Sequence, residues 1–494
     1  MVLSFTLQKD QLSGDEFLII EHLPRKIYRR YGSIPSRVYI RRCYKQLYDI
    51  TADKMASGSM ETGVTLYTGV PGIGKSLFLI YFIYRFLHDD RFPDKRFALE
   101  FERKEYFLFE PTLEADDVFT CSCRDATSID DDDDFLVLCD IQQPEEPAGR
   151  AKWTLIFSSP DRARYKEITK NAPSFRYTLP TWSEQELTSC DNRKQLWYDN
   201  FVHFGGVPRH VLPKRNATDD DLQPLQLLES MAGEKGGLIV TEFFKFGFST
   251  LDLIQNYLLI HINPPPPISP SSSGNDFQYN GLPEYSFASD HVFQLLVAKH
   301  EAMMLAQAAD VFNVGAAAST YGSASAGHLF EKICLWLKPL EGNRFTAAAL
   351  GSAGGPLKRF EVPSSRELLP HDWKEAPLLR PNIHYLPRIS NLESGDSFYL
   401  VETTAEEYLL VVFQFTVAAK EHKVKSNGLS VIVKAFQESL VCNITQKALV
   451  FVIPQHGSMA TVQAIVTQKG HAITQNNMPL TVRGFQQYVY RRTV

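Results

Sequence analysis

The stretch Gly69-Val70-Pro71-Gly72-Ile73-Gly74-Lys75-Ser76 decides how the chain is read. It fits the pattern G-x-x-x-x-G-K-[ST]. Before it, Val64-Thr-Leu-Tyr-Thr68 has the composition of a strand. After it, the apolar run from Lys75 to about His88 predicts a helix. A glycine-rich turn between a strand and a helix is built to hold an anion. Glycines let backbone N–H groups turn inward where side chains would block the approach. The helix N-terminus adds a partial positive charge. Lys75 supplies a full charge for the β and γ phosphates, and Ser76 offers a hydroxyl ligand to Mg2+. Residues Gly69 to Ser76, with Leu77, are therefore predicted nucleotide contacts, with ATP or GTP and Mg2+ as cofactors. The competing reading, a glycine turn before a core helix, leaves Lys75 unexplained.

Working outward, Phe135-Leu-Val-Leu-Cys139 is a short apolar run ending in Asp140, the pattern of a buried parallel strand. Such a strand carries a carboxylate to magnesium, so Asp140 joins Ser76 as a predicted metal ligand. Trp153-Thr-Leu-Ile-Phe157 is a second such run, and Ser159 just beyond it is a candidate for the γ phosphate or its water. Arg209, in Gly205-Gly-Val-Pro-Arg209, is a candidate phosphate cation. A turn serine and a surface arginine are the equal alternatives. Ile141 and Gln142 stand where hydrolytic relatives place a water-activating acid, so binding is better supported than fast hydrolysis.

The chain has 494 residues, 44% hydrophobic and 22% charged, which suits an ordinary multidomain globular protein. A formal net charge of −6 does not advertise nucleic-acid binding. Seven scattered cysteines with no CxxC pair argue for reduced thiols and against zinc or a disulfide framework. The N-terminus has no basic segment followed by a clean apolar one. The most apolar run, Leu77 to Leu87, is well short of the roughly 20 residues a membrane span needs. An intracellular, soluble protein with no membrane partner is expected. Four regions follow: a polar leader over 1–50, an α/β domain with a parallel sheet over 51–215, a helical region over 216–312 with a Pro/Ser-rich insert at 263–275, and an α+β domain over 327–494.

Several segments together resemble the Crinkler family, which is related to the retrotransposon-hot-spot proteins of trypanosomes. They are GVPGIGKSLFLIYFIYRFL from Gly69, SSPDRARYKEI from Ser158, PTWSEQEL from Pro180 and FGGVPRHVL from Phe204. Val38-Tyr-Ile-Arg-Arg-Cys-Tyr-Lys45 lies upstream, and GHLFEKICLWL from Gly327 and VVFQFTVAAKEHKV from Val411 lie downstream. The resemblance implies a P-loop NTPase of the STAND/AAA-like group joined to a C-terminal nuclease-like domain of the restriction-endonuclease, PD-(D/E)XK, fold. It also implies an effector that acts in the nucleus and touches DNA. The oomycete branch carries an LFLAK-type translocation segment, of which Leu3-Ser-Phe-Thr-Leu7 is at best a distant echo.

On that implication, Glu331, Asp396, Gln414, Thr416 and Lys420 are the catalytic candidates, with Asp396 a metal ligand. Paired carboxylates would hold magnesium to activate water against a phosphodiester. Gln414 stands where the second acid belongs and Thr416 where the lysine belongs. Lys420, His422 or Lys423 could supply the missing cation. The bland readings are a solvated Glu331, a turn Asp396 and a satisfied core amide at Gln414. Two functions therefore compete: an NTPase that regulates or powers a DNA-acting nuclease, and a nucleotide-switched interaction module with a degenerate nuclease fold. No HRD-like loop or DFG motif supports a kinase. The sequence leaves a homo-oligomer open.

Overall fold

The structure is a computed structural model of the full chain. It describes residues 2–11, 13–22, 35–57, 63–102, 105–115, 118–126, 136–140, 153–160, 174–212, 223–246, 258–265, 279, 283–312, 329–337, 340–350, 357–369, 379–387, 395–404, 407–417, 424–439, 443–455, 459, 463, 465–466, 478–479 and 481–492. The chain divides into two compact units of mixed α/β structure. The first comprises Met1–Glu234, Leu251–Ile268 and Asn275–Leu295, and the second the remainder.

The first unit is built on one sheet. Its strands are β1 (Val2–Lys9), β2 (Glu16–His22), β3 (Arg37–Tyr39), β4 (Gly63–Thr68), β5 (Phe97–Glu102), β6 (Glu105–Ala115), β7 (Val118–Ala126), β8 (Leu136–Cys139), β9 (Trp153–Phe157) and β10 (Ser174–Thr178), in the order β10-β4-β9-β8-β5-β6-β7-β1-β2-β3. The first five in that order are parallel. β8 is buried along its whole length, which is why its sequence runs apolar without alternation. Helices α1 (Arg42–Ala56) and α2 (Lys75–Leu87) contribute Tyr44, Leu47, Tyr48, Phe78, Phe82 and Phe86 to the same core as Tyr67, Leu138 and Phe157 of the sheet. The sheet is not wholly parallel, as the sequence suggested. Two residues separate β5 from β6 and two separate β6 from β7. A parallel crossover needs a dozen or more, so these strands can only fold back antiparallel.

The first 50 residues also differ from the polar leader read from sequence. β1 pairs with β7 and with β2, and β3 closes that edge. Strands at a partly wet edge mix polar with apolar residues, and here β1 buries Phe5 while β2 buries Phe17 and Leu18. Further along lie α3 (Glu184–Cys190), α4 (Tyr198–Phe204), α5 (Pro208–Val211) and α6 (Gln223–Glu234). The region expected to be helical also holds a hairpin of β11 (Ile260–Asn263) and β12 (Glu284–Phe287). Residues 266–278, most of the Pro/Ser-rich insert, lie outside the described residues. The helix expected near 291–309 runs from Asp290 to Phe312 and leaves helical geometry at His300.

The second unit includes α7 (Gly236–Phe246) and an eight-stranded sheet. Its strands are β13 (Arg344–Ala349), β14 (Leu357–Glu361), β15 (Arg366–Leu369), β16 (His384–Pro387), β17 (Ser397–Thr404), β18 (Glu407–Phe415), β20 (Asn443–Pro454) and β22 (Phe485–Arg492), in the order β14-β13-β22-β20-β18-β17-β16-β15. Two short strands, β19 (Val424–Lys425) and β21 (Ile465–Val466), pair apart from it. β18 and β20 are parallel, joined through α8 (Ser426–Ser439), whose Leu429, Ile432, Val433 and Phe436 pack with Phe398, Leu400, Leu410, Val412, Leu449 and Phe451. Residues 329–332 are α-helical, and Ile333–Leu337 continues as π-helix. Among the described residues no helix is long and apolar enough to cross a membrane.

Candidate functional site

β4 ends at Thr68 in the interior of the parallel strands, and the chain turns through Gly69–Gly74 into α2. In an open α/β sheet, the crevice at the carboxyl ends of the strands is where ligands bind. Val70 and Ile73 are buried and anchor the turn in the core, while Pro71, Gly72 and Gly74 are half-buried and Leu77 packs against the core edge. Gly72 has φ +90°, and a Cβ there would lie 2.8 Å from Cβ of Arg209. The loop thus needs a bare backbone at this point, and α5 brings the Arg209 side chain against it. Lys75 Nζ donates to Gly69 O at 2.8 Å and to Val70 O at 3.1 Å, curling over the loop it follows.

Ser76 Oγ donates to Asp140 Oδ2 at 2.8 Å, across 64 residues of chain. β9 lies between β4 and β8, so the carboxylate stands two strands from the loop's own strand, and the first turn of α2 bridges that gap. A hydroxyl and a carboxylate at this separation form a hard oxygen pair of the kind magnesium prefers. At the neighbouring strand ends, the hydroxyls of Thr68, Ser158 and Ser159 have no hydrogen-bond partner, and the first two residues are fully buried. Buried hydroxyls without partners are uncommon in proteins. Residues 141–150, where the absent acid was sought, lie outside the described residues, as does Phe135. The sequence reading passed over Glu100 of β5, a buried acid. Its carbonyl accepts the Asp140 N–H at 3.4 Å and its carboxylate accepts from Cys139 Sγ at 3.1 Å. Burial, then the Glu100 charge, pushes the Cys139 thiol well above its usual range. A glutamate set between Leu99 and Phe101 in Phe97-Ala-Leu-Glu-Phe-Glu102 was the available signal.

In the second unit the residues named from sequence also converge. Asp396 precedes β17, and its Oδ2 accepts from Gln414 Nε2 at 2.8 Å and from the Phe415 N–H at 2.6 Å. Burial, then the charge of Glu331, raises the Asp396 carboxyl well above the ordinary carboxylate range, opposed by those two hydrogen bonds. Glu331, Asp396 and Gln414 therefore form one cluster. Gln414 is buried, and its Oε1 has no partner. In this arrangement its amide serves the carboxylate. Thr416 is buried at the end of β18, its N–H donating to Val452 O at 3.1 Å. Lys420, His422 and Lys423 lie outside the described residues. Among the described residues no group of three or more His, Cys, Asp or Glu side chains is arranged to hold a metal. The nearby pair would gain from a cation, since two acids sharing a site resist ionising together.

The chain is 24% identical to Crinkler effector protein 15 of Phytophthora infestans over 239 residues, covering 46% of this chain and 37% of that protein. It is 26% identical to Crinkler effector protein 16 of the same organism over 186 residues, covering 36% of this chain and 28% of that protein. The matched segment thus spans about a third of the length of these curated relatives. No protein-family model matches the chain. No solved structure matches it.

Proposed function

We propose that the chain is a Crinkler-type effector whose first unit binds a nucleoside triphosphate, ATP or GTP, with Mg2+, and whose second unit is a nuclease-like module directed at DNA. The observation that carries the reading is the 2.8 Å contact of Ser76 Oγ with Asp140 Oδ2. The two oxygen donors expected of a magnesium–phosphate site meet beside a glycine loop, although they lie far apart in sequence. In this reading the backbone of Gly69 to Ser76 cradles the phosphates, Lys75 leaves the loop carbonyls for the β and γ phosphates, and Arg209 adds a second cation. Ser76 and Asp140 would hold the magnesium, which screens phosphate charge when bound. Ser159 would meet the γ phosphate or its water. The name effector, carried by both relatives, supports an effector role, and the nucleus as destination is what the family resemblance implies.

A second reading is favoured by one contact. Gln414 spends its amide on Asp396, in the position a second acid would fill. A neutral amide is a weaker metal ligand than a carboxylate. The second unit would then be a degenerate nuclease fold, and nucleotide would act as a conformational switch. Magnesium-dependent nucleotide turnover and plasmid cleavage, run in parallel on parent, Lys75→Ala and Asp396→Ala, separate the two. The first reading expects Lys75→Ala to lose nucleotide binding and Asp396→Ala to lose cleavage. Tight binding with negligible phosphate release and no cleavage favours the switch. A parent that binds no nucleotide refutes both.

A further inference from the structure

Two carbonyls of the Gly69–Ser76 loop accept hydrogen bonds from aromatic side chains that the nucleotide reading leaves without a role. Trp182 Nε1 donates to Ile73 O at 2.8 Å, and the bond is buried. Tyr44 OH donates to Gly74 O at 2.8 Å, an oxygen that also accepts the helical Phe78 N–H at 2.9 Å. A trans peptide is planar, so its C=O and the following N–H point in opposite directions. Drawing Ile73 O toward Trp182 aims the Gly74 N–H the other way. Drawing Gly74 O toward Tyr44 does the same for the Lys75 N–H. An anion cradle is made of such aimed backbone donors.

Both aromatic residues are themselves fixed. Arg41 is fully buried and lies 4.9 Å from the Trp182 ring centroid and 5.8 Å from that of Tyr44. Its guanidinium donates to Pro180 O at 2.9 Å, to Thr181 O at 3.0 Å, and through Nε and Nη2 to both oxygens of Glu186. The strip that carries Trp182 is thereby held on its N-terminal side. Leu179 N–H donates to Thr68 O at 2.8 Å and Trp182 N–H to Gly206 O at 2.8 Å, tying the strip to the end of β4 and to the turn before Arg209. Tyr44 stacks on Phe78 with ring centroids 5.0 Å apart.

We propose that Trp182 and Tyr44 are positioning residues for phosphate binding. They hold the Ile73–Gly74 and Gly74–Lys75 peptides with their N–H groups turned toward the cradle before the ligand arrives, and Arg41 locks the two rings. The proposal rests on the nucleotide reading of Gly69–Ser76. Preorganisation of this kind strengthens binding by removing an ordering cost.

Calorimetric titration of the full chain with magnesium ADP tests it, using parent, Lys75→Ala, Trp182→Phe and Tyr44→Phe. Tyr44→Phe loses only the hydroxyl donor, whereas Trp182→Phe loses the indole N–H together with part of a buried ring. Each should weaken the dissociation constant roughly five- to tenfold, the worth of one net hydrogen bond, at unchanged stoichiometry. A merely structural role would instead lower the stoichiometry, through loss of folded protein, at an unchanged constant, and that overturns the proposal. Parent-like constants in both variants overturn it while leaving the nucleotide reading intact, provided Lys75→Ala no longer binds. A parent that binds neither magnesium ADP nor, in the same titration, magnesium GDP sinks both. Should Trp182→Phe not fold, Tyr44→Phe decides alone: parent-like binding overturns the proposal.

Discussion

Glu186→Gln isolates one charge in the framework behind the loop. Arg41 is 1% exposed, and Glu186 takes Nε at 2.8 Å and Nη2 at 3.0 Å. Glu186 also closes a capping box at the start of α3. Its N–H donates to Ser183 Oγ at 3.1 Å, and its carboxylate accepts the Ser183 N–H at 2.9 Å. Glutamine serves equally well in a capping box. The substitution keeps one carbonyl oxygen for the helix start, and it removes the counter-charge of a buried guanidinium together with one of the two oxygens that accept from it. Breaking a buried pair by removing one partner costs about 3–5 kcal/mol. The Glu186 side chain keeps 20% exposure, so water screens part of this and the low end, roughly 3 kcal/mol, applies. For a unit of this size that is a fall in melting temperature of roughly 6–12 °C. Glu186→Ala removes the cap bond as well and should cost about 1 kcal/mol more. Urea unfolding of the three proteins measures both steps. A Glu186→Gln variant within about half a kcal/mol of parent would refute the reasoning, because Arg41 would then need no counter-charge.

Gly72→Ala should weaken magnesium-nucleotide binding at least about tenfold, because a left-handed alanine costs roughly 1–2 kcal/mol and its methyl would press on Arg209; a parent-like binding isotherm would contradict the loop geometry. Asp396 has a folded pKa raised above its unfolded value. The stability this contributes is complete below about pH 4 and is lost as pH rises through the folded value. Asp396→Asn should accordingly melt higher than parent at pH 8 and level with it near pH 4, and millimolar magnesium should raise the parent's melting temperature more than the variant's. His261 behaves oppositely. Burial, with a smaller contribution from His210, holds it down to about 3, so it stays neutral in the fold while the unfolded chain takes up a proton near pH 6.5. Stability present above that pH is lost as pH falls toward 3, about 2 kcal/mol of it by pH 5, and His261→Leu should flatten the slope seen in urea midpoints between pH 7 and 5.

Local structure was legible from sequence because its signals are contiguous. The glycine loop, the strand before it and the helix after it lie within 25 residues, from Gly63 to Leu87, and the structure bounds the helix at Lys75–Leu87. Apolar runs marked β8 and β9 for the same reason, since an interior parallel strand is buried on both faces. Even Asp396 and Gln414, named from a resemblance, meet because β17 and β18 are a simple antiparallel pair. What depends on distant parts of the chain could not be read. The antiparallel wing that takes in β1 and β2 has half-polar strands, whose buried face shows only once a partner strand is known. Arg41 falls in the segment read as a polar leader, yet it is buried, and only the meeting of residues 41 and 186 supplies its counter-charge. Ser76 and Asp140 were each marked by local pattern. Their contact at 2.8 Å, with the aromatic donors behind Ile73 and Gly74, is a consequence of strand order, which hydrogen bonding between remote strands decides and local composition does not encode.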